Sequence, residues 1–151
     1  MKAGNGKLKA STDTLLDGIF KASKFDRYVR SYESEMCLPS LSEHLATLCV
    51  EKDVRRASVI RKAGIDRSFG FQIFQGVKNP SRDKVIQLAF GFALDYEQTQ
   101  QLLRIAHKSA LYPRIKRDAA LIYCLNRHMD LTDAQAMLSG MDLPILGREA
   151  E

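Results

Sequence analysis

No apolar stretch in this 151-residue chain approaches the ~20 residues a membrane-spanning helix needs, so a helical membrane protein is excluded. Nor does any sustained run alternate β-branched or aromatic residues with polar ones, which leaves an all-α fold. Cysteine is scarce: Cys37, Cys49 and Cys124 make an odd number without a CxxC pair, as reduced thiols would. The spacing of Cys37, His44 and Cys49 matches no common zinc site, and no metal is expected. Catalytic signatures are missing too. There is no P-loop, HExxH, GxSxG or glycine-rich dinucleotide turn after a strand, and His44, His107 and His128 have no sequence partner placed as nucleophile or orienter. The reading is therefore not an enzyme, with no cofactor. Residues 1–14 carry lysines but no apolar core of the secretory kind, so they read as a loose polar arm on a cytoplasmic protein.

A hydrophobic fraction of 45% and a charged fraction of 27% are those of an ordinary soluble globular protein. The length suits one domain with a core, or one domain with a helical extension. The net charge of +5 is unevenly placed. Residues 1–50 carry seven basic and six acidic groups, residues 51–84 nine and four, and residues 85–151 seven and eight. The middle stretch alone supplies the excess, as a phosphate-facing surface would.

Apolar residues recur at helical spacing almost throughout, enough for seven or eight helices. Leu15, Leu16, Ile19 and Phe20, then Phe25, Tyr28, Val29 and Tyr32, form amphipathic stretches that Pro39 closes. Ser40 with Glu43 has the form of a capping box, starting a helix near Leu41 whose stripe is Leu41, Leu45, Leu48 and Cys49. Asp95 with Gln98, and Thr132 with Gln135, repeat that start signal, and Gly140 supplies a stop. After the turn at Leu111, Tyr112 and Pro113, two stripes predict a helical hairpin that needs a partner surface: Ala119, Ile122 and Leu125, then Ala134, Met137 and Leu138. A polar tail follows from Gly147. No repeat of 20 to 50 residues and no low-complexity tract is visible.

The segment from Arg56 to Gly76 reads helix, tight turn, helix. Gly64 sits where the first helix must end and reverse, Ile65 is the apolar turn residue and Asp66 can cap the next helix. In the interval from Gly64 to Gly76, in the helix end Ile73, Phe74, Gln75, Gly76 and in the exit through Lys78, Asn79, Pro80 and Ser81, the chain resembles helix-turn-helix proteins of the phage lambda repressor and Cro class, the XRE-like family. The resemblance implies a five-helix DNA-binding domain over roughly Leu41 to Ala106 with N- and C-terminal helical extensions. The expected divisions are an arm and helical extension over residues 1–38, the DNA-binding domain over 39–110 and a hairpin and tail over 111–151. Two residues depart from the family pattern. Ile60 stands where the family usually has a small Ala, and Gly70 where it usually has Val or Ile, so the summed volume at the crossing is kept. Arg56 stands where many relatives carry Gln.

On this resemblance the helix from about Arg67 to Gln75 lies in the major groove, with Arg67, Ser68, Phe69 and Gln72 as readers. Arg67 would take guanine O6 and N7, Gln72 adenine N6 and N7, and Phe69, in preference to Phe71, a thymine methyl. Phe74 is expected to be core. Arg55, Arg56, Lys78, Asn79, Arg82 and Lys84 would meet phosphates, and Arg114, Lys116 and Arg117 would either extend that footprint or form a solvated turn. The function implied is sequence-specific double-stranded DNA binding by a bacterial or phage transcriptional regulator acting as a homodimer. The alternative is an antitoxin-like or adaptor protein that uses the extensions to hold a protein partner, with Tyr28, Tyr32, Ile122, Tyr123 and Leu125 at the interface.

Overall fold

Local chemistry sets most of the helix starts. In the computed structural model, which describes residues 10–147, six of the nine α-helices among the described residues begin on a Ser or Asp whose side chain accepts a backbone N–H. All regular elements described are helical. The chain divides into two units, residues 1–38 and 39–151.

In the first unit Ser11 caps α1 (Thr12–Lys21), and α2 (Phe25–Tyr32) leads into a 3-10 turn (Glu33–Glu35). The polar arm expected over residues 1–14 thus gives way to helix at Thr12, and its first nine residues lie outside the described ones. Tyr28 is the buried residue of this pair and donates its hydroxyl to the Leu15 carbonyl at 2.9 Å. Its ring lies so close to Gly18 that a Cβ there would meet Tyr28 Cε2 at 2.8 Å.

In the second unit Ser40 and Glu43 close the expected capping box on α3 (Leu41–Lys52). There follow α4 (Arg56–Lys62), α5 (Arg67–Phe74), α6 (Arg82–Gly91), α7 (Tyr96–Ile105), α8 (Lys116–Asn126) and α9 (Leu131–Gly140). Five helices therefore fall between residues 41 and 105, and Asp95 with Gln98 forms the second capping box as expected. α6 is the hub. Its residues from Val85 to Gly91 are all buried, and it packs on α4, α7 and α9.

The partner surface for the C-terminal hairpin is α6 and α7. α8 turns Ala120, Leu121, Cys124 and Leu125 inward, while Ala119 and Ile122 are only half-buried, so the expected stripe is displaced by one residue along α8. Burial pushes the Cys124 thiol up, with the charge of Asp133 adding to it. The start of α9 is also corrected. Its cap is Asp130, which accepts from the Asp133 N–H at 2.9 Å, and not Thr132. Gln135 instead grips both backbone groups of Leu146, at 2.9 and 2.7 Å, as Gln100 grips Leu111 at 3.1 and 2.8 Å. Gly140 remains helical and the reversal falls on Asp142, at φ 58°. The expected tail beyond Gly147 lies outside the described residues.

Two Arg-Asp dipeptides lock the hairpin to α6. Arg82 forks onto Asp118 at 3.2 and 2.9 Å, and Arg117 forks onto Asp83 at 3.0 and 2.9 Å. The same guanidinium groups also donate to loop carbonyls: Arg82 to those of Ser109 and Ala110, and Arg117 to those of Pro144 and Ile145.

Candidate nucleic-acid interface

The α4–α5 reversal is built as its residues demand. Ala63 ends α4, and Gly64 takes φ +66°, a conformation in which a side chain is strained. The buried Ile65 closes the turn by donating its N–H to the Ile60 carbonyl at 3.2 Å. Asp66 caps α5, accepting from the Phe69 N–H at 3.0 Å. From α6, Gln87 donates its side-chain N–H to the Ala63 carbonyl at 2.9 Å and pins the turn from behind. Gln87 Oε1 is buried without a hydrogen-bond partner among the described residues.

The crossing of α4 on α5 has no room to spare. A Cβ at Gly70 would lie 2.5 Å from Ile60 Cγ2 and 2.8 Å from Ile60 Cγ1. Large Ile and absent side chain are thus direct neighbours, which is the volume exchange read from the sequence. Phe74 is buried, as expected, with the Arg56 guanidinium 5.8 Å from its ring centre.

What α5 turns outward differs from the expected reading face in three residues: Phe69 leaves it, and Phe71 and Gln75 join it. Arg67, Ser68, Phe71, Gln72 and Gln75 line one shallow concavity with Asp66. At 3.6 residues per turn these five occupy an arc of about 140°. Arg67, Ser68 and Gln75 are exposed, and Phe71 and Gln72 are half-buried. Phe69 does not share that arc. It packs on the flank towards α6, where Lys84 Nζ lies 5.6 Å from its ring centre, and lines a separate cavity with Gly64, Ile65, Lys84 and Gln87. The structure brings together Arg67, Ser68 and Gln72 and adds Phe71 and Gln75. Projection of the sequence onto a helix at 100° per residue would have found both.

Of the basic and polar residues expected around this face, Arg55 and Arg56 stand exposed at the start of α4, and Lys78 and Asn79 stand exposed in the loop after α5. Lys84 is half-buried, with its Nζ against the Phe69 ring on the flank of α5. Arg82 does not join the exposed residues either. Its guanidinium is consumed by Asp118 and two carbonyls, leaving the side chain 25% exposed. Arg117 is similarly engaged with Asp83 and belongs neither to a solvated turn nor to an open cationic surface. Of the residues expected at a protein interface, Tyr28 and Leu125 are buried, Tyr32 and Ile122 are half-buried, and Tyr123 is exposed beneath the Arg127 guanidinium. No helix among the described residues is long and apolar enough to cross a membrane. Comparison with protein-family models, curated proteins and solved structures returned no match.

Proposed function

We propose that this chain binds double-stranded DNA in a sequence-specific manner as a transcriptional regulator of the lambda-repressor-like, helix-turn-helix kind, with α5 in the major groove. The observation that carries the reading is the outward arc of α5. Arg67, Ser68, Gln72 and Gln75 set polar side chains around Phe71 on a helix whose opposite side is fixed to the core by Gly70, Ile73 and Phe74. Such side chains are those that hydrogen-bond to base edges. Arg55, Arg56, Lys78 and Asn79 stand exposed where each motif helix begins or ends, and they belong to the stretch that carries the chain's excess positive charge. They hold the phosphates and set register without reading sequence. One eight-residue helix spans few base pairs, so specificity is reached by two copies on a palindromic site.

The test is a selection from a random duplex pool followed by titration of the winners. Arg67→Ala is expected to lose about 1 to 3 kcal/mol of discrimination at one base pair, while Lys78→Ala weakens all duplexes alike. Failure to select any sequence contradicts the reading.

A second reading, a protein-partner role, is favoured by one feature of the first unit. Phe20 and Phe25 are 79% and 64% exposed, an apolar display that marks interaction sites when contiguous. If charge reversal at Arg67 and Lys78 leaves biological activity intact, this reading takes first place.

A further inference from the structure

Within the arc of α5 one contact is more specific than a general polar surface. The Arg67 guanidinium lies 5.3 Å from the centre of the Phe71 ring, one helical turn further on. We infer that Arg67 and Phe71 act as a single reading unit for a guanine and a thymine methyl lying within two base pairs of each other. This rests on the DNA reading of α5 and names the step that it recognises.

The chemistry of each partner supports the pairing. A guanidinium is planar, with its donors in that plane, so a ring packed close to it restricts its rotamers. Fewer conformations then remain to be fixed when those donors meet guanine O6 and N7. Phe71 is half-buried: it packs against the hydrophobic core, yet it also lines the outward concavity. A half-exposed aromatic on an otherwise polar arc gains by burial against another apolar group. In the major groove the apolar group a base offers is the thymine 5-methyl. Four helical residues rise about 6 Å, close to two base-pair steps of about 3.4 Å. The competing aromatic, Phe69, faces α6 and Lys84 on the flank outside the arc.

The probe is the tightest duplex recovered from the random pool, titrated by fluorescence anisotropy, with each thymine replaced singly by deoxyuridine. That exchange removes one methyl and leaves every hydrogen-bonding group in place. With the wild-type protein, one replacement within two base pairs of the guanine sensed by Arg67→Ala is expected to weaken binding about fourfold, the worth of one buried methyl group. Phe71→Ala is expected to bind the thymine and deoxyuridine duplexes equally, whereas Phe69→Ala keeps the wild-type preference. The inference is overturned, with the DNA reading intact, if the wild-type protein is indifferent to every replacement or if Phe69→Ala is the variant that loses the preference. The first of these outcomes needs no variant, so it decides even where Phe71→Ala does not fold. If no duplex is selected, the DNA reading fails and this inference fails with it.

Discussion

Asp83 and Arg117 lie 34 residues apart in sequence and meet almost out of water, with forked bonds of 3.0 and 2.9 Å. Burial raises the pKa of Asp83, but the Arg117 hydrogen bonds, the Gly147 N–H and the charges of Arg117 and Arg82 outweigh it and hold the carboxyl below the ordinary range. The native carboxyl therefore takes up a proton less readily than the unfolded one. Its stabilisation is complete above the ordinary Asp value near pH 4 and is lost as pH falls through the lower native value. Urea midpoints measured from pH 5 down to pH 2 should fall for the wild type and fall less for Asp83→Asn. At neutral pH Arg117→Met strands a buried carboxylate and is expected to cost about 3 kcal/mol; a change of about 0.5 kcal/mol, typical of a surface site, contradicts the placement. Ile60 and Gly70 make a second residue-scale case. Gly70→Ala gains about 1 kcal/mol of helix propensity but drives a methyl to 2.5 Å from Ile60 Cγ2, and overpacking costs about 1 to 3 kcal/mol. In a double-mutant cycle with Ile60→Ala, the pair should cost at least ~1 kcal/mol less than the sum of the singles. Additive costs would mean that the two side chains do not meet.

At the scale of elements, local signals decided what could be read in advance. Ser40 with Glu43 and Asp95 with Gln98 close their boxes within four residues of chain, so the pattern alone contains the physics. Thr132 with Gln135 carries an equally good pattern and fails for two reasons. Asp130 caps the same helix two residues earlier, and Gln135 is claimed by Leu146, 11 residues away. Asp130→Ala is accordingly expected to cost about 1 kcal/mol in urea unfolding, with Thr132→Ala within about 0.5 kcal/mol of wild type. The reverse order would restore the sequence reading. Gly64, Ile65 and Asp66, which make the turn between α4 and α5, are legible for the same reason as the caps. Arg82 was not, because it was placed by its position near a helix start while its partner, Asp118, lies 36 residues further along the chain. Phe69 and Phe71 lie two residues, or about 200°, apart on the helix, and it is Phe71 that falls within the arc of Arg67 and Gln72 while Phe69 falls on the flank towards α6.

For the whole molecule, the net charge of +5 matters only through its location in residues 51–84. Losing Arg82 from the exposed set reduces that surface, while Arg55, Arg56, Lys78 and Asn79 keep it open around α5. The salt dependence of DNA binding should follow the exposed cations. Lys78→Ala is expected to reduce the slope of log affinity against log salt by about one, whereas Arg82→Met is expected to act on stability and to leave that slope unchanged. The C-terminal hairpin, tied to α6 by two forked ion pairs, belongs to the same unit as the proposed reading helix. The measurement that bears most directly on the central claim is an anisotropy titration of the wild-type protein and Arg67→Ala against a selected duplex at 50 and 200 mM salt, the range over which ~10³ or more in affinity is lost when six or more phosphates are neutralised. Tight, salt-sensitive binding by the wild type and a loss in the variant confined to one base pair are expected. Weak binding without sequence preference, unchanged by the substitution, would contradict the claim.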